Sequence, residues 1–252
     1  MAVQFHLTKK LKLKNPVLIE GFPGMGLVGT ISASYLVDKL NMDFVGYLTS
    51  EDFPPLAAIH NHVPMFPARL YASKKYNLIV LLSEFIVPVK AVNELAHEIY
   101  EFANKNKVSQ IVSLGAIVQK SAGEKSVFAV ATNGKLLKEL ESHRSVEIVK
   151  EGVTTGVTGV LLARGTIDKY PVVSFLAQAS KDYMDPRAAA NVLGVLREYL
   201  NLKHLNVHSL ELEAQEVEGK MKELMGKAKA NEEHYKKTVK DAVSNDLGAM
   251  YR

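Results

Sequence analysis

Apolar residues follow two rhythms along the first two hundred positions. Short runs at 16–20 (PVLIE), 44–49 (FVGYLT), 78–82 (LIVLL), 108–114 (VSQIVSL), 126–131 and 146–149 are strand-sized, and 171–178 is a further apolar stretch. LIVLL has no polar alternation, as expected of a strand buried on both faces. Between the runs, apolar residues recur at three–four spacing. Ile31, Tyr35, Leu36 and Leu40 mark a helix through 32–40, and Val92, Leu95, Ile99 and Phe102 mark one over 90–105. Two more helices are predicted over 134–142 and 187–200, the latter opened by Asp185-Pro186 with proline near the first helical position. The Gly- and Thr-rich stretch 152–165 reads as a helix opening. Pro54, Pro55, Pro64 and Pro67 make 53–67 irregular loop and edge structure. Strands and helices alternating from residue 16 to about 200 predict an α/β domain, a mostly parallel sheet with helices on both faces.

The pattern changes after residue 205. Residues 206–243 lack proline, are rich in Glu and Lys, and carry a stripe of Leu210, Ala214, Val217, Met221, Leu224 and Ala228 that weakens through Asn231, Tyr235, Thr238 and Ala242. As one helix this stretch would extend roughly 57 Å, long for a single small domain. It either packs along its own core or projects and oligomerises. Gly248 ends any such helix. The chain thus divides into a core, 1–205, a charged helical extension, 206–243, and a short flexible tail, 244–252.

Composition adds exclusions. At 252 residues, 47% hydrophobic and 23% charged, the chain has material for a large core. Without cysteine it has no disulfide, thiolate nucleophile or Cys-ligated metal site. The net charge of +4 is interleaved with acids, and the basic Lys9, Lys10, Lys12 and Lys14 alternate with Leu11 and Leu13 as on an exposed strand face. A nucleic-acid partner would need charge gathered on one surface, so none is expected. No apolar run has membrane-spanning length, and the N-terminus lacks a secretory signal, so the expectation is a cytoplasmic protein with no membrane partner.

Several constellations invite chemistry. Gly24-Met25-Gly26-Leu27-Val28-Gly29 fits G-x-G-x-x-G between a strand and a helix, and Glu51 lies where a ribose-binding acid would follow. A dinucleotide or nucleoside site on Gly24, Gly26, Gly29 and Glu51 is therefore one reading. The other is a tight turn where backbone approaches backbone. No Walker motif or nucleophile elbow is present. Gly156-Val157-Thr158-Gly159 is either a small anion nest or a helix-opening turn. His60 and His62 would share a face in a strand, as His204 and His208 would in a helix, but neither pair brings a carboxylate at ligand spacing. Glu94 and His97 form half of a di-iron helix motif whose second half is missing. Glu84, following LIVLLS, is either a site carboxylate or bonded to nearby amides. The reading is of no catalytic residue, no metal and no cofactor. Met250-Tyr251-Arg252 is different. A hydrophobic residue, a tyrosine and an ionised carboxyl end make a compact anchor, the ring supplying buried area and the carboxylate a partner for a pocket lysine.

Gly21-Phe22-Pro23-Gly24-Met25-Gly26-Leu27-Val28-Gly29, Asp52-Phe53-Pro54-Pro55, Leu81-Leu82-Ser83-Glu84-Phe85, Ser113-Leu114-Gly115-Ala116, Gly156-Val157-Thr158-Gly159, Asp185-Pro186 and Ala188-Ala189-Ala190 occur in this order. Together they resemble the motifs of the second-type proteasome-assembly-chaperone family in its archaeal form, over residues 10 to 225. The resemblance implies an α/β/α sandwich and a homo-oligomer, by likeness a tetramer. It implies an ATP-independent chaperone or activator, not an enzyme, that engages the α-ring of the proteasome core particle through a hydrophobic–Tyr–X tail, here Met250, Tyr251 and Arg252. Unfolded proteins are a further partner class it suggests.

Overall fold

The computed structural model describes residues 3–118, 127–143, 145–179 and 184–207, together with Leu210 and Gly226. Among the described residues, eleven strands and five α-helices run in the order β1 (Gln4–Leu7), β2 (Val17–Gly21), α1 (Val28–Lys39), β3 (Asp43–Thr49), β4 (Ala58–His60), β5 (Val63–Met65), β6 (Ala68–Ser73), β7 (Leu78–Ser83), α2 (Val89–Lys105), β8 (Gln110–Val118), β9 (Val127–Ala131), α3 (Gly134–Glu141), β10 (Val146–Ile148), α4 (Gly156–Asp168), β11 (Val172–Ala179) and α5 (Pro186–Tyr199). Two helices are locally capped, and the sequence foreshadows the opening of α5 at Asp185-Pro186. The Asp185 carboxylate accepts from the Ala188 amide at 2.9 Å with Pro186 behind it, and Asn133 accepts from the Leu136 amide at 3.0 Å.

Nine strands form one sheet in the order β1-β3-β6-β7-β2-β8-β11-β9-β10. The predicted α/β sandwich is present, with α1, α3 and α5 on one face and α2 and α4 on the other. Parallel pairing is confined to the middle run β7-β2-β8-β11 and to β9-β10, and the other four of the eight pairings are antiparallel. The sheet is therefore mixed rather than mostly parallel: β1 and β6, which escape a reading by periodicity, take part in three of the antiparallel pairings, and β9 runs against β11 in the fourth. In β6, Arg69 sits inside an otherwise apolar run that follows Pro67 directly.

Successive side chains of the central strands enter opposite layers. Ile19, Val80, Val112 and Val173 meet Ile31, Leu36, Val192 and Leu196, and Leu18, Ile79, Ile111 and Val172 meet Leu95, Ile99, Val157 and Leu161. Each fully buried aliphatic side chain contributes about 1.5–3 kcal/mol.

Part of the proline-rich segment is ordered as the β4–β5 hairpin. Its turn residues Asn61 and His62 both have positive φ, 48° and 67°, so His62 leaves the strand and does not share a face with His60. The lysine-rich segment 9–14 is irregular chain rather than a strand face, and Leu11 and Leu13 pack against the α2/α4 core. Among the described residues no helix is long and apolar enough to cross a membrane.

Candidate functional site

Open α/β sheets bind ligands beyond the carboxyl ends of their parallel strands. Here that edge holds the glycine turn after β2, Glu84 after β7, and the start of α5. The glycine turn is built for backbone contact. A Cβ on Gly29 would lie 2.4 Å from the Leu114 carbonyl oxygen and 2.8 Å from that of Phe22, and one on Gly21 would lie 2.3 Å from the Gly29 oxygen. Gly26 has φ 59°, and its carbonyl accepts from the Asp185 amide at 2.9 Å, which ties the turn to α5. Glu51 follows β3, which is separated from β2 by β6 and β7. Three strand spacings, roughly 14 Å, therefore part it from the turn. A ribose-binding acid would end the strand beside β2, so the structure does not assemble the dinucleotide reading of Gly24, Gly26, Gly29 and Glu51. Close packing of α1 against β2 and β8 accounts for Gly21 and Gly29.

Glu84 neither faces open solvent nor caps amides with its side chain. It is buried, and its Oε1 accepts from Arg69 Nη2 at 2.8 Å, while Nε2 of His60 lies 2.8 Å from the same oxygen, close enough for an ion pair but off hydrogen-bond alignment. Burial pushes the carboxyl up, but the His60 contact and the Arg69 guanidinium together outweigh it and hold Glu84 below the usual carboxylate range. Arg69 also donates to the Phe66 carbonyl at 3.4 Å. The cluster fastens β6, the end of β7 and the β4–β5 hairpin together, and Glu84 stays ionised as a structural anion. Arg69 is absent from the sequence-predicted sites. Its signal was a lone charge within the segment ARLYAS.

A second buried carboxyl was hidden inside PVLIE. Glu20 is fully buried, and its Oε1 accepts from Thr158 Oγ1 at 2.9 Å, with Ser113 Oγ 2.7 Å from the same hydroxyl. Thr158 lies in the first turn of α4, so Gly156-Val157-Thr158-Gly159 opens a helix whose threonine faces an internal carboxyl. Burial raises the Glu20 pKa from 4.5 to about 7, against the lowering effect of bonds from Ser113, Thr158 and the Phe22 backbone. The folded state thus holds a proton that the unfolded chain releases above pH 4.5. This contribution to stability is complete below pH 4.5 and is lost as pH rises through about 7, by about 3 kcal/mol. Glu20→Gln, which cannot titrate, is expected to remove that slope. Urea midpoints of parent and variant should diverge steadily between pH 4.5 and 7.5, and parallel curves would refute the assignment.

The remaining candidates are dispersed. Nδ1 of His97 meets Arg164 Nη1 at 2.6 Å. His204 is exposed, and His208 lies outside the described residues. Among the described residues no three His, Cys, Asp or Glu side chains converge as metal ligands. On the α1/α5 side, Tyr35 Oη donates to the Asn206 carbonyl at 2.6 Å, and Leu205 and Leu210 are buried. Apart from Leu210 and Gly226, the predicted extension 206–243 beyond Val207 and the tail 244–252, with Met250, Tyr251 and Arg252, lie outside the described residues.

Comparison with known proteins places these features. Residues 18–225 match the sequence model of the PAC2 family. The chain is 35% identical over 224 residues to the uncharacterised protein MJ0106 of Methanocaldococcus jannaschii, covering 88% of this chain and 91% of that one. Among solved structures it is similar to Pyrococcus furiosus PbaA, an archaeal homologue of proteasome-assembly chaperone, at 34% identity and a TM-score of 0.78, over 90% of this chain and 99% of PbaA. It shares its fold with Pyrococcus furiosus PbaB, an archaeal proteasome activator, at 23% identity and a TM-score of 0.74, over 88% of this chain and 98% of PbaB.

Proposed function

The chain belongs to the PAC2 family, and from that premise we propose that it is a proteasome-binding chaperone or activator that works without catalysis or ATP. The similarity to PbaA, a homologue of proteasome-assembly chaperone, carries this reading. Two buried carboxyls support the non-enzymatic part. Glu84 is neutralised by Arg69, and Glu20 is sealed beneath α4, so neither is presented to a substrate.

In this reading the protein docks on the α-ring of the proteasome core particle through Met250, Tyr251 and Arg252 as a hydrophobic–Tyr–X tail with a free carboxylate. The tyrosine ring fills a pocket and the carboxylate meets a lysine. The protein assembles with itself, as a tetramer, and acts in the cytoplasm, with unfolded proteins as a further class of partner. Several tails on one oligomer raise avidity 10²–10⁴-fold over a single tail, in order of magnitude. Burial of Leu210 in the α1/α5 core supports this reading, because it anchors the chain there and more than forty residues follow it in the sequence.

The test is a pull-down and titration with purified proteasome core. Removal of residues 250–252 is expected to abolish association with the melting temperature unchanged. Tyr251→Ala should weaken binding about 30-fold, the equivalent of a 2 kcal/mol anchor. A chain extended by two residues past Arg252 should bind as poorly as the deletion. Unchanged affinity in all three would defeat the tail as the docking element.

A further inference from the structure

The outer side of the α2/α4 layer is unfinished. The two helices run in the same direction, since each leads into one of the parallel strands β8 and β11. A groove of about 530 Å³ lies between them, lined chiefly by Val92 on α2 and by Gly156, Val160, Ala163 and Ile167 on α4. Where the helices begin, Val89 is 89% exposed and Val153 93%, and where α4 closes, Ile167 is 80% exposed. Nothing lies within 4 Å of where a Cβ on Gly156 would be. The face thus carries an open gap at one end and a protruding side chain at the other.

Charge follows the same polarity. Lys90, Glu94, His97 and Glu101 recur at helical spacing along α2, positive at its start and negative towards its end, and none of them is buried. The first turn of α4 has no acidic residue and the Thr155 side chain makes no capping hydrogen bond, while Asp168 stands in the last turn. Within α4, therefore, nothing acidic compensates the positive end of the helix dipole. Such a face is complementary to itself turned end for end. The His97–Arg164 contact at 2.6 Å and the Tyr100–Leu161 hydrogen bond at 2.8 Å align the two helices, so that residues 161–162 of α4 lie about level with 95–96 of α2. With a two-fold axis there, Ile167 falls over the partner's Gly156, and Val160 over the partner's Ala163. Asp168 reaches the open start of the partner's α4. Lys90 meets the partner's Glu101, and Glu94 the partner's His97. A parallel arrangement would instead gather Glu101 and Asp168 of both copies at one end.

Two helices side by side, the longer of seventeen residues, present a face of roughly 25 by 20 Å. Counted as accessible surface, this approaches the ~800 Å² per partner of a specific dimer. We propose that the outer face of α2 and α4 pairs with the same face of a second copy, antiparallel about a two-fold axis. This rests on the self-assembly of the proposed function and names a surface for it. It is independent of proteasome docking, since it leaves residues 250–252 unused.

The absence of cysteine makes the test clean. Full-length Thr155→Cys and full-length Ile167→Cys are co-expressed and treated with a short bismaleimide. Along the helix axis, antiparallel pairing sets position 155 roughly 1.5 Å from the partner's position 167, but parts the two positions 167 by roughly 17 Å and the two positions 155 by roughly 20 Å. The expected product is a cross-linked pair containing one chain of each kind, with neither variant alone linking to itself. Ile167→Glu is expected to sediment at half the parental mass and to keep the parental circular dichroism, because residue 167 is exposed in the single chain. The proposal is overturned by no cross-link in the mixture, by a self-link in either variant alone, or by parental mass in Ile167→Glu. A monomeric parent overturns it together with the self-assembly reading, whereas an oligomeric parent that fails these tests overturns this face alone. Proteasome binding by the 250–252 deletion is scored separately, so tail docking fails independently.

Discussion

Arg69→Met is expected to cost about 3–5 kcal/mol of folding stability. The substitution keeps most of the side-chain volume and removes the charge that holds Glu84. The carboxylate then remains buried, with Oε1 beside His60 alone and Oε2 without a partner among the described residues. A lone buried anion either stays charged at high cost or takes up a proton, and both outcomes weaken the tie between β6, β7 and the β4–β5 hairpin. The pH response gives the sign. With its carboxyl held below the ordinary range, Glu84 stabilises the parent above the unfolded-state value near 4.5, and this is lost as pH falls through the lower folded-state value. That acid limb should shrink or disappear in Arg69→Met. The double variant Arg69→Met/Glu84→Leu should recover most of the loss, since well-packed apolar residues replace a buried ion pair at little net cost. Urea titrations followed by circular dichroism decide it. A double variant no more stable than the single one would show that the pair is not what Glu84 requires.

How much of this was legible depends on the range of each interaction. The central strands and α2 could be read because their cores are written locally, as LIVLL or as Leu95, Ile99 and Phe102 at helical spacing. Capping of α5 by Asp185 was equally local, three residues reaching one amide. β6 was hidden because its identity depends on a partner fifteen positions away. Arg69 looks like an interruption until Glu84 is seen beneath it. Glu20 meets Thr158 across 138 positions, and no periodicity links PVLIE to the opening of α4. The glycine motif misled in a different way. A phosphate-cradling turn and a turn that lets a helix lie on a strand ask for the same residue, and only the strand order, which puts β7 and β6 between β2 and β3, separates them.

Glycine substitutions separate the two kinds of turn experimentally. Gly29→Ala is expected to cost about 3 kcal/mol or more, since its methyl would press on two carbonyl oxygens, of Leu114 and Phe22, and neither is a side chain that can swing away. The neighbours could be spared only by lifting α1 off β8, which would expose Ile31 and Leu36 from the core. For a chain of this size that corresponds to a fall in melting temperature of roughly 6–12 °C. Gly24→Ala should stay within about 0.5 kcal/mol of the parent, because nothing lies within 4 Å of its would-be Cβ and its φ of −149° is ordinary extended backbone. A dinucleotide turn would reverse the weight, with Gly24→Ala leaving stability intact and abolishing a ligand-induced rise in melting temperature. The parent is therefore expected to show no such rise with NAD, a flavin or a nucleoside. A rise that Gly24→Ala removes would restore the cofactor reading. Gly29→Ala destabilising the fold, with no ligand response in the parent, fixes the turn as the hinge on which α1 packs.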